Sequence, residues 1–306
     1  MLTQTSRETA LGPEPLLAAV PVELATRPRH NRAWQRFRRF KPGVVGLVFV
    51  IGLILLAIFA PALAPYDPTE VHTRLRGAPP SAEFRLGNDS IGRDVLSRLI
   101  YGSRVALIVG FGAITIAVTI GVTVGAAAGY FGGRLDQVLS RFVDTLMAFP
   151  TLALLITLNA ILGGSLLTVV VIIGLTEWAS YARVSRAEVL SLREQEFVVA
   201  ARGIGAPSSQ IIARHVLPNM AGPLIVLASL DIGAIIILES ALSFLGLGVK
   251  PPTPSWGGML ADGRAFIRNY PHIAIVPGLA ITISVLAFNL VGDGLRDALD
   301  PRGRDR

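Results

Sequence analysis

The chain has 306 residues, of which 52% are hydrophobic and only 16% charged, with a mean hydropathy of +0.58. That balance excludes an ordinary soluble domain and marks a polytopic membrane protein. The net charge of +7 is spread along the flanks of apolar runs, which argues against nucleic acid and makes anionic membrane lipid the counter-charge. With no cysteine there is no disulfide framework or thiolate site, and the histidines at 30, 72, 215 and 272 are too scattered for metal-ligand spacing.

In chain order, residues 1–27 mix Pro, Ala, Thr and Glu without a sustained period and read as a disordered tail. From Arg29 to Lys41, Trp34, Phe37 and Phe40 recur among Arg32, Arg36, Arg38 and Arg39, which suits either a short helix in the headgroup layer or a simple positive anchor. Val44 to Ala64 is an uncharged apolar run of about 31 Å as a helix, enough for a first span. Its length, the long tail before it and Pro65 after Ala62-Leu63-Ala64 argue that it is retained and not cleaved as a signal peptide. Further spans are expected at about 105–129, 138–162, 166–182, 222–246 and 273–291, six in all, with the third and fourth forming a hairpin around Gly163-Gly164. The expected fold class is an all-α membrane protein, divided into a tail at 1–43, the span 44–64, a loop at 65–104, a five-span core at 105–292 and a tail at 293–306.

Nineteen of the 28 Lys and Arg residues fall in alternate segments, namely the tail before the first span, 130–141, 183–217 and the C-terminus. The positive-inside tendency puts both termini and those segments in the cytoplasm, and loops 65–104 and 247–272 outside. Gly121, Gly125 and Gly129 make a smooth groove on the second span for a homodimer, another subunit or a neighbour within the chain. Trp178, Tyr181 and Trp256 are expected to anchor at the membrane interface.

The polar segment Glu196–Asn219 is too ordered for a plain connector and reads as helix, turn, helix. Small Ala200 and Ala201 allow close approach, Gly205 permits the turn, Ser208 or Ser209 caps the second helix, and Pro218 resets the direction. Ala200-Ala201-Arg202-Gly203-Ile204-Gly205, with Ile212, His215, Leu217 and Pro218 beyond, resembles the EAA loop of bacterial ABC importer permeases, with Val199 where the family motif usually has Glu. Leu86–Arg104, Glu239–Gly248, Pro251–Gly257 and Asn289–Pro301 resemble the dipeptide and oligopeptide branch, with Asn88 where Thr is common.

The resemblance covers nearly all of the chain after residue 40 and implies a type I importer permease of the C-type, in the bacterial cytoplasmic membrane. It implies a second homologous permease, two ATPase subunits and an extracytoplasmic substrate-binding protein as partners. It assigns ATPase coupling to Ala200, Ala201, Gly205, Ala206, Ile212, His215, Leu217 and Pro218. The chain itself would bind no cofactor and catalyse nothing. The sequence holds no Gly-x-x-x-x-Gly-Lys-Ser/Thr loop, so ATP and Mg would belong to the partners. The expected cargo is a dipeptide or short peptide, with nickel or glutathione as alternatives within the branch.

Arg93, Asp94, Arg98 and Arg104 would either fix an outer helix by ion pairs or greet a docking protein, and Trp256 lies in the stiff Pro-rich loop that would present a surface to it. Charges at membrane depth are costly and therefore informative. Asp231 is placed beside the translocation path or against a buried partner. Glu239 is a second pathway candidate, better explained by hydrogen bonds to Ser240 and Ser243, and Asp144 pairs with Arg141 one turn earlier. A secondary transporter would need more midplane carboxylates than Asp231 alone, and an intramembrane hydrolase would need a Gly-x-Ser-x-Gly or His-Glu-x-x-His motif that is absent.

Overall fold

The computed structural model describes residues 29–299, with side chains from residue 34 onward. The expectations for the tail 1–27, for the Arg32 side chain and for Asp300-Pro301 fall outside the described residues. The helices are α1 (Arg29–Arg39), α2 (Lys41–Ile58), α3 (Ala60–Leu63), α4 (Val95–Phe131), α5 (Gly133–Met147), α6 (Thr151–Leu162), α7 (Leu166–Leu192), α8 (Glu196–Gly203), α9 (Ser208–Ile211), α10 (Leu217–Phe244), α11 (Trp256–Arg264) and α12 (His272–Leu299). Among the described residues no strand forms, and one isolated antiparallel bridge joins Asn88 to Asp94.

Five helices are long and apolar enough to cross a membrane: α2, α4, α7, the run Ser208–Phe244 that contains α10, and α12. The sixth expected span, 138–162, is not one straight helix. α5 and α6 meet at 83°, and only if this bent pair is counted as one span does the total reach six. Pro150 explains the break, because its ring disfavours helical backbone at Phe149 and removes a donor. α6 alone is about 18 Å long, short of a hydrocarbon core of about 30 Å. α5 is amphipathic, and its polar face is tied to α7 by Arg186 Nη2 donating to Asp136 Oδ2 at 2.7 Å and Arg183 Nη2 donating to Asp144 Oδ1 at 2.9 Å. Asp144 therefore pairs across helices with Arg183 and not with Arg141.

The glycine groove is filled from within the chain. A Cβ on Gly121 would stand 2.6 Å from the carbonyl oxygen of Trp178, and one on Gly125 would stand 2.3 Å from that of Ala182, so α4 and α7 touch backbone to backbone. This contact makes the α4–α7 pair the centre of the bundle and buries Tyr181, Ala182 and Val189. It also moves the expected anchors Trp178 and Tyr181 into the core, with Tyr181 fully buried. Trp256 is buried too, seated where Gly102 leaves room for its indole.

α4 has 37 residues, about 55 Å, so it protrudes beyond any bilayer core. Its first turns lie in the segment expected to be loop, and there they carry a cap built from residues 65–94, α11 and the start of α12. At the opposite end of the bundle lie the C-terminal ends of α4 and α7, together with α8 and α9. α1 packs on the C-terminal end of α12 through Phe37 at Gly294.

Candidate functional site

The segment 196–219 folds as a knob. α8 ends in a Schellman turn: Ala206 N–H donates to Ala201 O at 3.1 Å, Gly205 N–H donates to Arg202 O at 3.0 Å, and Gly205 takes φ +79°. A side chain at Gly205 would meet open space, so glycine is required there by backbone angle and not by crowding. α9 starts at Ser208 after Pro207 without a side-chain cap, contrary to the capping role expected of Ser208 or Ser209. Beyond it, Ile212–Val216 form one π-helical turn that runs directly into α10.

Pro218 therefore does not reset the direction. It sits in the first turn of α10, where its missing N–H follows the widened turn, and Ser208–Phe244 runs as a single 37-residue rod. Val198, Ala201, Ile211 and Val216 are buried and form the core of the knob, whereas Ala200 and Pro218 face outward. Ala206, Ile212, His215 and Leu217 are half-buried, with the His215 ring 6.3 Å from that of Phe197. Exposed beside Ala200 are Phe197, Val199 and Ile204, the last at 87%. The position of the unusual Val199 is thus on the outward apolar face. The eight residues assigned to coupling all lie in this one unit.

Two arginines tie the knob to α4. Arg193, just before α8, donates from Nη1 to Gly129 O at 3.0 Å near the C-terminal end of α4, and the Arg202 guanidinium lies 5.7 Å from the Tyr130 ring centroid. A cation is favoured there by the helix dipole and the exposed carbonyls. Neither contact is legible in the sequence, because Tyr130 and Arg202 are brought together by the α4–α7 packing.

At the cap, Asp89 Oδ1 accepts the backbone N–H groups of Ile91, Gly92 and Arg93 at 3.0, 3.0 and 2.9 Å, and its Oδ2 accepts from Arg93 Nε at 2.6 Å. Arg93 Nη2 and Arg98 Nη2 both reach Asp262 Oδ2 on α11, at 2.9 and 3.5 Å. Asp94 caps α4 by accepting from Ser97 N–H at 2.8 Å and Ser97 Oγ–H at 2.6 Å, and forms no ion pair among the described residues. Arg104 lies over the Tyr101 ring. Trp256 Nε1 donates to Leu99 O at 2.9 Å, so α11 is pinned to α4 at both of its ends. Of the expected docking residues, Asp94, Arg98 and Trp256 are buried and Arg93 nearly so. Their side chains assemble the cap from inside and do not form its surface.

Between the two ends, Tyr181 on α7 donates its hydroxyl to Asp231 Oδ2 on α10 at 2.6 Å. Glu177 lies one turn before Tyr181 on the same helix. The rule that ionisable groups at membrane depth are informative applies to Glu177 as well, but its place near the end of the expected span 166–182 concealed its depth. Glu239 is sealed, with 1% exposure; Ser243 Oγ donates to its Oε1 at 2.6 Å and Ser240 Oγ to its Oε2 at 3.4 Å. That arrangement leaves Glu239 closed inside the bundle and hydrogen-bonded to its own helix.

Residues 121–305, which include the knob and both acidic sites, match the model of the binding-protein-dependent transport system inner membrane component. The chain belongs to this family. Residues 31–80 of the permease match the N-terminal transmembrane domain of oligopeptide transport permease C. It is 44% identical to the dipeptide transport system permease protein DppC of Alkalihalophilus pseudofirmus, over 89% of this chain and 90% of that one. It is 43% identical to the glutathione transport system permease protein GsiD of Escherichia coli, over 97% of each. The permease fold is also similar to a chain of the MetNI methionine ABC transporter in an inward-facing conformation, with TM-score 0.56, 18% identity, and 66% and 96% of the two chains covered. This membership makes the protein a multi-pass inner-membrane permease of an ABC importer.

Proposed function

We propose that the permease forms half of the translocation pathway of an ATP-driven importer for dipeptides or short peptides, and that it couples to separate ATPase subunits through the knob at 196–219. The single observation that carries this reading is the continuity of the knob with α10, because Ser208–Phe244 is helical throughout and a push on α9 is carried into a span. Both termini and the knob are cytoplasmic in this reading, as the distribution of Lys and Arg supports. The partners are a second homologous permease, two ATPase subunits that use ATP and Mg, and an extracytoplasmic substrate-binding protein. This chain hydrolyses nothing.

Closure of the ATPases on nucleotide displaces the knob, and the Arg193 and Arg202 contacts carry part of that displacement to α4. The pathway then changes the side it faces. Asp231, held by Tyr181, lies beside the pathway, where water and a passing ammonium group make a carboxylate tolerable. The similarity to a glutathione permease over 97% of both chains supports glutathione, itself a tripeptide, as a second cargo of the same chemistry.

Gly205→Val tests the coupling. Its positive φ strains the turn by about 1–2 kcal/mol while its surroundings stay open, so the bundle is expected to insert and fold. Copurification with the ATPase subunits and peptide uptake into vesicles are expected to fall together. Undiminished association and uptake in this variant refute the docking role.

A further inference from the structure

α1 ends at Arg39 and the span α2 begins at Lys41, so Phe40 alone separates the basic helix from hydrocarbon. Chain geometry holds α1 at the boundary between water and lipid whatever the tilt of α2. Its inner side is fixed. Phe37 is 3% exposed and lies against Gly294 of α12, where a Cβ would stand 2.7 Å from its ring, and the Phe40 ring covers Gly43 in the same way. Its outer side carries exposed Gln35, Arg38 and Arg39, with Trp34 half-exposed and stacked on Phe37 at 5.8 Å.

Arg38, Arg39 and Lys41 form no ion pair among the described residues, and no Asp or Glu occurs from residue 29 to residue 66. The charged groups on the adjoining end of α12 are Asp293, Arg296 and Asp297, all exposed and none within ion-pair reach of these three cations. Below Lys41, Val45 and Val48 follow at positions i+4 and i+7 on one face of α2, each 65% exposed, with exposed Gly52 beneath them. A cation at headgroup level therefore stands directly above a bare apolar stripe.

We propose that this corner binds an anionic phospholipid, its phosphate on Arg38, Arg39 and Lys41 and one acyl chain along Val45, Val48 and Gly52. A partner helix on the stripe would have to bring separate acidic groups to the headgroup level, whereas an anionic lipid carries charge and chain in one molecule. Because Phe37 and Phe40 lock α1 onto α12, the bound lipid steadies the end of α12 as well as the anchor.

The test uses the complete importer in nanodiscs made from equal amounts of phosphatidylglycerol and phosphatidylcholine, followed by extraction and native mass spectrometry of the retained lipid. The wild-type complex is expected to be enriched in phosphatidylglycerol. Arg38→Gln/Arg39→Gln/Lys41→Gln is expected to lose that enrichment by about fivefold per charge, while Arg38→Lys/Arg39→Lys retains it. Equal retention by the wild type and the glutamine variant overturns the proposal. Val48→p-benzoylphenylalanine reports what covers the stripe: a lipid adduct supports the site, and a crosslink to a subunit of the importer refutes it. A readout independent of the charge variants is Trp34 fluorescence, taken as the difference from Trp34→Phe. Brominated phosphatidylglycerol is expected to quench it more strongly than brominated phosphatidylcholine, and equal quenching sinks the idea.

Discussion

At the cap, Asp89, Arg93, Arg98 and Asp262 close a ring of ion pairs around side chains that are mostly out of water, and Trp256 spends its one donor on Leu99. At the knob, Phe197, Val199 and Ile204 stand in the open, and the buried part is a handful of small aliphatic side chains. Both regions carry the motifs by which the sequence resembles its family, yet they carry them for opposite reasons. Charged motif residues in the cap pair with one another and fix the shape. Small and apolar residues in the knob leave Phe197, Val199 and Ile204 as an exposed apolar surface. A motif rich in charge is therefore no guide to a docking surface, and a motif of alanine and glycine is not merely packing.

Substitutions at the two ends should separate these roles. The largest effect is expected at Asp89→Ala, which removes the acceptor of the Ile91 and Arg93 N–H groups, leaves Gly92 N–H only the Asp89 carbonyl, and leaves the Arg98 guanidinium, 5% exposed, only its 3.5 Å contact with Asp262. Breaking a buried pair from one side costs about 3–5 kcal/mol. The thermal midpoint of the detergent-solubilised permease should drop sharply, and a drop no larger than that of a surface variant contradicts the internal role of the ring.

A smaller effect is expected for Trp256→Phe, which keeps most of the ring packing over Gly102 but loses the hydrogen bond to Leu99 O. A loss of about 1 kcal/mol is expected in a denaturant midpoint, with increased protease access to the loop before α11. The smallest stability effect belongs to Val199→Glu, because Val199 is 52% exposed and the new carboxylate would have Arg202 three residues after it as well as Glu196 three residues before it. Stability should stay within about 0.5 kcal/mol of wild type while association with the ATPase subunits weakens, since a carboxylate would be desolvated on an apolar face. Stronger association would instead show that the ATPase still presents a cation at that point.

The region between the ends was less legible than either. Asp231 is conspicuous because it interrupts an apolar run, but its partner Tyr181 is 50 residues away and reads in the sequence as an interfacial aromatic. Glu177 is inconspicuous for the opposite reason: α7 continues to Leu192, ten residues past the expected end of the span, so a charge that seemed terminal lies within the helix. Asp262 shows no local pattern at all, and only the folding of α11 back onto α4 delivers it to Arg93 and Arg98.

By itself, the sequence determined the membrane class, the approximate positions of the apolar helices, the helix-turn-helix character of 196–219 and the family, because these follow from local hydropathy, backbone-angle demands and residue order. The tertiary structure decided which helix lies in the groove of Gly121, Gly125 and Gly129, and it chose α7 of the same chain. It also decided that the expected third span bends at Pro150, that Pro218 lies within one continuous rod, and that the aromatic and charged residues of the cap face inward. The physical reason is common to all four. A glycine or a charge states that something must come close or be neutralised, but what comes close is fixed only when distant segments compete for the same buried space.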